Sequence, residues 1–568
     1  MSIIRKKRFS VRLPASSRVI VLVGFLMCSL LCSCEKFDAR SSDDYIGLGR
    51  SEPNAVSAAV PEANAVSPSV SESNEISSTS GQQVSASGPL SISLTQATLL
   101  ALENNKSLVI ERFNPQIQRT FEQEQLSIFD LDFTANVSQE RTRAQSVPRP
   151  GLGSFSSLTK TFSADAGIQQ FLPSGTTLSL DGATDILDGS FLKNPFVTSS
   201  LGFSVTQALL RGFGTKVNLA SVNQAKIDTK ASQYELRGFV EVLVAQIEET
   251  YWDFVLAERQ ISIVIQSLEL AQKQLEQAKE RINVGKLAQS ELAAAEAEVA
   301  LRREDLIDAR STLAKTKLKL LRLVNPPGSN LWDRAVILTS YPVSPPIQLD
   351  DVEPHVALAL QMRPDLNQAK LQMQRDELEI IKTKNGMLPR MDLFITLGKT
   401  GYADSFGESV GNIHNNYYDV LGGVSFEYPF ANRAAQARNL RAVVTQNQDR
   451  EAINNLTQLV EVDVRTAYLE IIRTQEQVAA TTSTRKLQEE KLRAETEKFQ
   501  VGKSTSLLVA QAQRDLLSSQ ISEIEAVVNY TKSFVELYRL EGSLLERRGI
   551  ASPGRESIKL SDTAVQHK

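Results

Sequence analysis

Two stretches of the sequence share one pattern: RINVGKLAQSELAAAEAEVA at residues 281–300 and KFQVGKSTSLLVAQAQRDLL at residues 498–517. Each runs from a helical pattern through Val-Gly-Lys into a second helical pattern. Gly285 and Gly502, the glycines of the two breaks, are 217 positions apart. Glycine permits a tight reversal between two helices, where a β-carbon would be costly. The sequence therefore predicts one helical hairpin that occurs twice.

Matched residues elsewhere indicate that the whole body of the chain is duplicated. The triplet Leu100–Leu102 matches Leu358–Leu360 at an offset of 258, and Tyr251 matches Tyr468 at an offset of 217. Self-similarity at a fixed offset is the signature of an internal repeat. Because the two offsets differ, the first copy must hold 41 more residues than the second between these landmarks (258 less 217).

Strand-like segments account for these additional residues. Between the landmarks, apolar and polar residues alternate, which predicts β-strands with two different faces. The first copy shows four such runs and the second shows two, RMDLFITLGKTG and YYDVLGGVSFEYPF. In the first copy the middle pair, TFSADAGIQQF and GTTLSLDGATD, is joined by the short turn Leu172–Gly175. We therefore predict that a β-hairpin has been added to the first copy.

The helical segments around the strands are long. Apolar residues from Leu268 to Ile282 recur every three or four positions, and those from Leu292 to Leu320 recur at sevens, as in coiled-coil seams. A helix from about Val217 to Ile282 would extend on the order of 100 Å. No compact globule needs a helix of that length.

The amino-terminal end predicts export and a lipid anchor. Basic residues precede the short apolar run Val19–Ser33, which is typical of a signal peptide. The run ends in Leu31-Cys32-Ser33-Cys34, which resembles a bacterial lipobox, so we predict that Cys34 is lipidated. An ordinary cleaved signal peptide is the alternative. The Ser- and Pro-rich segment that follows has too few large apolar groups to fold by itself.

These features define six segments along the chain. Prolines in the stretch Val324–Gln348 prevent continuation of a helix between the two copies. The predicted segments are a signal peptide (1–33), a lipidated flexible tether (34–90), a first repeat (91–323), a Pro-rich inter-repeat crossing (324–349), a second repeat (350–545) and a polar tail (546–568).

Composition excludes several classes of function. The three cysteines, Cys28, Cys32 and Cys34, all lie near the amino terminus, so the body has no disulfide, Cys-based metal site or thiol nucleophile. The three histidines are scattered along the sequence, which argues against a metal or acid–base site. Loss of residues 1–33 removes six basic and no acidic side chains, moving the net charge from −4 to −10. This charge argues against nucleic acid as a partner, and we predict no enzyme activity, cofactor or metal.

Two further patterns favour structural interpretations. Val501–Thr505 ends like a phosphate-binding loop, but Glu497 occupies the place where that motif needs a glycine. Six carboxylates lie at helical spacing beside Lys and Arg, and we interpret them as parts of solvated faces: Glu248, Glu249, Glu296, Glu298, Glu489 and Glu490. Tyr251, Trp252 and Tyr468 could contact a substrate, but aromatic residues at matched helical positions favour packing, and we interpret them as packing residues.

A membrane role follows from the strands rather than the helices. An exported chain with no second long apolar stretch can cross a membrane only as a β-barrel. The polar side of the strands would then face water; it comprises Thr134, Asn136, Ser138, Ser163, Asp165, Ser204 and Thr206. Acidic groups on that side would favour cations. Because about eight strands make a barrel that side chains fill, several chains must pool their strands to form a pore.

The two hairpin motifs, together with QALLRGFG and YPFANRAA at the strand-to-helix junctions, resemble those of the TolC-like outer-membrane efflux proteins, over roughly residues 90–545. The resemblance implies a mainly α fold with a β part: a homotrimer whose strands form one barrel in the lipid of the outer membrane, continued by a periplasmic α-helical coiled-coil barrel. It also implies partners, namely a periplasmic adaptor protein and an inner-membrane pump or ABC exporter. By the same resemblance the adaptor meets the hairpin tips, Val284, Gly285, Lys286, Val501, Gly502 and Lys503.

The gate departs from the family pattern. Some members carry acidic rings one and two turns after the inner tip, whereas this chain has Leu507, Leu508 and Gln511 there. We therefore predict an apolar constriction. The alternative to a gated exit duct for efflux or type I secretion is a lipid-anchored periplasmic coiled-coil scaffold whose strands form a soluble domain.

Overall fold

The computed structural model describes residues 89–146, 155–190, 192–285, 288–327, 332–342 and 350–559. The predicted signal peptide, Cys34, nearly all of the predicted tether, Lys286 and the end of the polar tail lie outside these ranges, as do parts of the Pro-rich crossing. Within the described residues the chain is mainly helical and has one large sheet.

The first repeat begins with short elements and ends in a long helical hairpin. Its elements are β1 (Leu90–Ile92), α1 (Leu94–Asn104), α2 (Lys106–Glu111), α3 (Phe113–Leu126), β2 (Leu131–Ser146), β3 (Phe155–Leu172), β4 (Thr176–Gly189), β5 (Phe196–Ala208), α4 (Thr215–Asn218), α5 (Ala220–Asn283) and α6 (Ser290–Val324). Short 3-10 turns at Ser127–Phe129 and, in the second repeat, Asn412–His414 complete the regular structure.

The second repeat follows the same plan with fewer strands. After β6 (Val336–Leu338), its elements are α7 (Val352–Met362), α8 (Pro364–Gly386), β7 (Arg390–Ala403), α9 (Phe406–Gly411), β8 (Tyr418–Glu427), α10 (Arg433–Gln500), α11 (Ser506–Leu540) and α12 (Leu544–Arg547). The prediction of four strands in the first copy and two in the second is confirmed for the long strands, β2 to β5 and β7 to β8.

All six long strands form one antiparallel sheet in the order β2-β3-β4-β5-β7-β8. The two repeats meet where β5 pairs with β7, from Val197 opposite Ala403 to Ala208 opposite Asp392. The β3–β4 hairpin lies inside the four strands of the first repeat and closes through the tight turn at Gly175, whose φ is 87°. The added hairpin therefore widens the sheet rather than forming a separate layer.

The largest hydrophobic core cluster lies among the helices, where β1, β6 and the amino-terminal helices pack with α5. This cluster joins α5 to the amino-terminal helices and to α11, and includes Val244, Trp252 and Val535. Tyr251 is completely buried there, and its hydroxyl donates towards the carbonyls of Ile92 (3.3 Å) and Ser340 (3.2 Å). Because β1 pairs in parallel with β6 at this point, Tyr251 ties the start of the first repeat to the inter-repeat crossing.

Side chains cap the starts of some of the helices. Ser93 begins α1 with a capping box through Gln96, and Thr505 caps α11 by accepting from the Leu508 N–H. Helix α6 ends just before the prolines that begin the crossing. Among the described residues, no helix is long and apolar enough to span a membrane.

A two-faced sheet and two helical tips as the candidate functional site

One face of the sheet is apolar along its whole width. Residues opposite each other in the ladder share a face, since side chains alternate along each strand. The register places these apolar residues on one side: Leu131, Phe133, Val137, Phe162, Ile168, Leu178, Leu180, Ile186, Val197, Leu201, Phe203, Val205, Leu393, Ile395, Leu397, Val420, Val424 and Phe426. We call this side the apolar face.

The opposite side, which we call the polar face, is acidic. It carries the residues predicted from the alternation, and Asn136 donates to Asp165 there (2.9 Å). The acidic residues of this face are Asp132, Glu140, Asp165, Asp181, Asp185, Asp392, Asp419 and Glu427. Arg390 is the basic residue that the described strands place beside them. The sheet thus separates an apolar side from a side that attracts cations.

The two outer strands leave the sheet open. Within the described residues, β2 and β8 each pair along one edge, and an unpaired strand edge is a template for another strand. Each open edge continues into a helix with an exposed apolar stripe. On α3 the stripe comprises Phe113, Ile117 and Phe121, and on α10 it comprises Leu440, Val444, Leu459, Val462 and Leu469. Both surfaces are suited to contact with a second copy of the chain.

The two Val-Gly-Lys breaks are the tips of the helical hairpins, as the sequence predicts. Gly285 and Gly502 adopt left-handed backbone conformations, with φ of 68° and 76°. At the second tip the Gly502 N–H donates to the Phe499 carbonyl (3.2 Å), and the next N–H, that of Lys503, reaches back to Lys498 (2.8 Å). These two bonds form the Schellman motif that closes helix ends. Gly285 likewise donates to the Ile282 carbonyl (2.9 Å).

The hydroxyls of the second tip are engaged in its own structure. Thr505 caps α11, while the Ser504 hydroxyl donates to Glu495 (2.8 Å). Lys498 donates to the same carboxylate (2.6 Å), and this bond with Lys498, followed by that from Ser504, lowers the pKa of Glu495. Gly502 follows a helix rather than a strand, so the phosphate-loop interpretation has no structural support.

The tips expose the residues that were predicted for contact or constriction. Val284 is 66% exposed and Val501 70% exposed, so both valines project from the hairpin ends. Leu507 and Leu508 are exposed one turn after the second tip, and Gln511 lies one turn further along the same helix side. Lys503 is also exposed. Lys286 lies outside the described residues.

A cation–π contact joins the two hairpins next to their tips. The Arg281 guanidinium, in the last turn of α5, lies 4.9 Å from the ring centre of Phe499, in the last turn of α10. Such contacts stabilise by about 0.5–1 kcal/mol at exposed sites. The contact was not predicted, because the sequence pattern gives no cross-hairpin register.

The prediction that Glu248 and Glu298 lie on solvated faces is wrong. Glu248 is 1% exposed and accepts two bonds from Arg548, at 2.6 and 2.7 Å. Glu298 is also buried and pairs with Arg302 (2.5 Å) on the same helix. Helical spacing shows which charges share a face but not what covers that face. The cover on Glu248 comes from a residue 300 positions away.

Buried charged groups in the helical part were also considered as possible metal or acid–base sites. No cluster of three or more His, Cys, Asp or Glu residues among them could hold a metal ion. His355 contacts the buried Glu541, which also accepts from the Ser543 hydroxyl (2.6 Å). Burial raises the pKa of Glu241 to about 8, and Arg237 next to it only partly offsets that effect. These groups lie among packed helices and serve as internal partners.

One group of charges on the apolar face was not singled out from the sequence. Arg141, Arg143, Lys160 and Lys399 lie on that face near the ends of their strands furthest from the long helices. The signal was available: Arg141 and Arg143 continue the alternation of Phe133 and Val137 along β2. The alternation of side chains along a strand therefore predicts the face of charged residues as well as that of apolar residues.

Comparison with known proteins agrees with this geometry. The family model described as outer membrane efflux protein matches residues 192–325 and 356–543, more than half of the chain. No curated protein matches the sequence.

Solved structures of outer-membrane channels share the fold. The chain is similar to the channel OprN, with a TM-score of 0.61 at 15% identity, covering 79% of this chain and 90% of that one. CmeC of Campylobacter jejuni gives 0.59 at 14% identity, covering 79% and 86%. VceC of Vibrio cholerae gives 0.58 at 16%, covering 79% and 96%. The predicted fold class is confirmed, and because the family match extends over more than half of the chain, the chain belongs to the outer membrane efflux protein family.

Proposed function

We propose that the chain is the outer-membrane component of a tripartite efflux or type I secretion system, acting as a passive, gated exit duct. The observation that carries this proposal is the two-faced sheet, apolar on one side and acidic on the other, continuous with helical hairpins about 100 Å long. Lipid-facing strands need an outward apolar band and a polar interior. Long helices would carry the same conduit through the periplasm.

A homotrimer is the assembly that this sheet supports. Six strands alone are fewer than the eight or so whose side chains fill a barrel. Three copies would supply about 18 strands, enough for a water-filled channel. The open edges of β2 and β8, with the apolar stripes on α3 and α10 beside them, favour a head-to-tail ring closed by rotation.

The hairpin tips are the proposed docking sites for a periplasmic adaptor protein, itself joined to an inner-membrane pump or ABC exporter. Val284 and Val501 project from the two tips of one chain, so a trimer would present six tips. Gly285, Gly502, Lys503 and, from the sequence, Lys286 complete these surfaces. Leu507, Leu508 and Gln511 would form a closed constriction just beyond the inner tips, and the adaptor would shift that closed state towards an open one.

Lipidation at Cys34 is proposed from the sequence alone. The acyl groups would anchor the chain without spanning the membrane. Mass spectrometry of the mature amino-terminal peptide tests this point, because acyl chains add a defined mass to Cys34. An unmodified amino terminus cut elsewhere would favour an ordinary cleaved signal.

The channel itself is tested by reconstitution of the full chain. We expect heat-resistant, β-rich trimers in detergent and cation-selective conductance in planar bilayers, with the selectivity set by the acidic polar face. A chain that stays monomeric and gives no conductance would instead support the lipid-anchored periplasmic scaffold. Conductance that prefers anions would contradict the orientation of the polar face towards the lumen.

A further inference from the structure

The charges on the apolar face are confined to one end of the sheet. Arg141 and Arg143 on β2, Lys160 on β3 and Lys399 on β7 are basic, and Asp188 on β4 is the acidic residue of this face in the described strands. All lie at the strand ends furthest from the long helices. A charge on a lipid-facing surface is unfavourable unless an opposite charge lies beside it. The common position of these cations therefore suggests an anionic partner there.

Arg141 and Lys160 lie directly opposite each other in the β2–β3 ladder. Like charges in that arrangement repel, and Arg143 adds a third cation two residues along the same side. Asp188 pairs with Lys160 at 3.1 Å, which leaves the two arginines without a neutralising carboxylate on this face of the described sheet. An external anion would relieve the repulsion.

The neighbouring copy of a trimer would not supply that anion from its adjoining strand. The β8 edge, which would lie beside β2, carries Tyr418, Val420, Gly422, Val424 and Phe426 on the apolar face. None of these five residues is acidic. The acids of β8, Asp419 and Glu427, lie on the polar face. In the assembled ring the adjoining strand would therefore still offer no carboxylate to neutralise the two arginines.

The height of the cluster matches a membrane surface. Arg141 lies ten residues from the start of β2 at Leu131, and Lys160 lies twelve from the end of β3 at Leu172. With about 3.3 Å per residue and a tilt of about 40°, these positions lie about 25–30 Å from the helical end of the sheet. The apolar band of outer-membrane barrels is about 25 Å tall. The cations would therefore lie at the head-group level of the outer leaflet.

We propose that Arg141, Arg143 and Lys160 form a binding site for the phosphate groups of an anionic lipid in the outer leaflet. Arginine binds phosphate bidentately, and basic clusters at head-group level recognise phosphorylated lipids. The acyl chains of that lipid would lie against Phe133, Val137 and Phe162 directly below on the same face. This inference rests on the proposed barrel.

Native mass spectrometry of the purified, detergent-solubilised full chain tests the proposal. The probe is lipid A, a diphosphorylated glycolipid, with phosphatidylcholine and inorganic phosphate as separate titrants. We expect lipid A adducts on the trimer and at least tenfold weaker binding in the double variant Arg141→Gln/Arg143→Gln. Arg141→Lys/Arg143→Lys, which keeps the charge, should lose much less.

The matched control is Arg303→Gln/Arg310→Gln, which removes two exposed charges from α6 and should bind lipid A like the unaltered chain. Equal binding by the Arg141/Arg143 double variant, equal adducts with phosphatidylcholine, or full displacement of lipid A by inorganic phosphate would each overturn the lipid site. Absence of a heat-resistant trimer would instead contradict the proposed channel, so the two failures are distinguishable.

Discussion

The two repeats differ in their strands and in their burial, but not in the length of their hairpins. Helices α6 and α11 both have 35 residues, and α5 and α10 have 64 and 68. Yet α5 buries 22 residues and α10 only seven. The first repeat therefore packs much of its long helix into the core, which α11 of the second repeat shares, while the second repeat turns most of α10 outward.

The difference shows which part of the fold is constrained. Both hairpins must reach the same level if their tips bind one partner, so their lengths are matched. The sheet has no such limit, because an added hairpin only widens it. The exposed α10 has its own stripe of leucines and valines, the surface at which we propose that neighbouring copies pack. Substitutions at equivalent positions of the two repeats test this difference between them.

The largest difference is expected at the equivalent tyrosines. Tyr251 is fully buried and bonded to two backbone carbonyls, whereas Tyr468 is half-buried with its ring 6.1 Å from His355. Tyr251→Ala should cost about 3–5 kcal/mol by leaving a cavity, and Tyr468→Ala about 1–2 kcal/mol, because less surface is lost. Urea unfolding of the purified chain, followed by circular dichroism, measures both. Similar losses would refute the deeper burial of α5 relative to α10.

Export should depend on both hairpin tips. At Gly285 and Gly502 an added β-carbon would meet open space, but the positive φ is strained for any other residue. Each glycine exchanged for Val should therefore reshape a tip and reduce export several-fold while trimers still form. At Gly502 the substitution should also disturb the backbone bond from Lys503 and the Ser504–Glu495 contact, which depend on the turn.

Gly549 provides the matched control for tip strain. Its φ is 68° and its β-carbon would also meet open space, but it lies beyond α12 and not at a tip. Gly549→Val should leave export of a fluorescent dye nearly unchanged. If it lowers export as much as the tip variants do, backbone strain rather than docking explains the loss.

The proposed constriction belongs to the second repeat alone. The residue equivalent to Leu508 in the first repeat is Glu291, 217 positions earlier. Leu508→Ser should raise passive conductance of the closed channel several-fold, because an apolar ring that excludes water is weakened. Glu291→Ser should not. Planar-bilayer recording measures the passive conductance of both variants. An unchanged conductance in Leu508→Ser would show that Leu508 is not part of the gate.

Much of this comparison could be predicted from the sequence, because it rests on periodicity. Alternation fixed the sides of residues such as Asn136 and Asp165, and the glycine breaks located both tips. The stripes on α3 and α10 and the burial of Glu248 could not be predicted in this way. They depend on which helix lies over which face, and that is decided by contacts hundreds of residues apart, as between Glu248 and Arg548.

The smallest expected difference concerns a pair of carboxylates in the second repeat. Burial, followed by its interaction with Asp449, raises the pKa of Asp376 to about 7. By the same offsets, 258 and 217, the equivalent residues of the first repeat are Gln118 and Ser232. The contact between α8 and α10 thus contains a carboxyl that titrates, whereas the equivalent positions of the first repeat hold neutral side chains.

The direction of the pH effect follows from this raised pKa. A carboxyl that binds its proton more tightly in the folded state stabilises the fold at low pH, and that stability is lost as pH rises through about 7. Asp376 should therefore lower the stability of the chain between pH 5 and pH 8, by about 1 kcal/mol because Arg375 and solvent screen the pair. Asp376→Asn should reduce the pH dependence of the urea midpoint by that amount and leave the part that comes from Glu241, whose pKa is also raised, whereas Gln118→Asn should leave the whole dependence intact. An undiminished pH dependence in Asp376→Asn would show that this carboxyl does not titrate between pH 5 and pH 8.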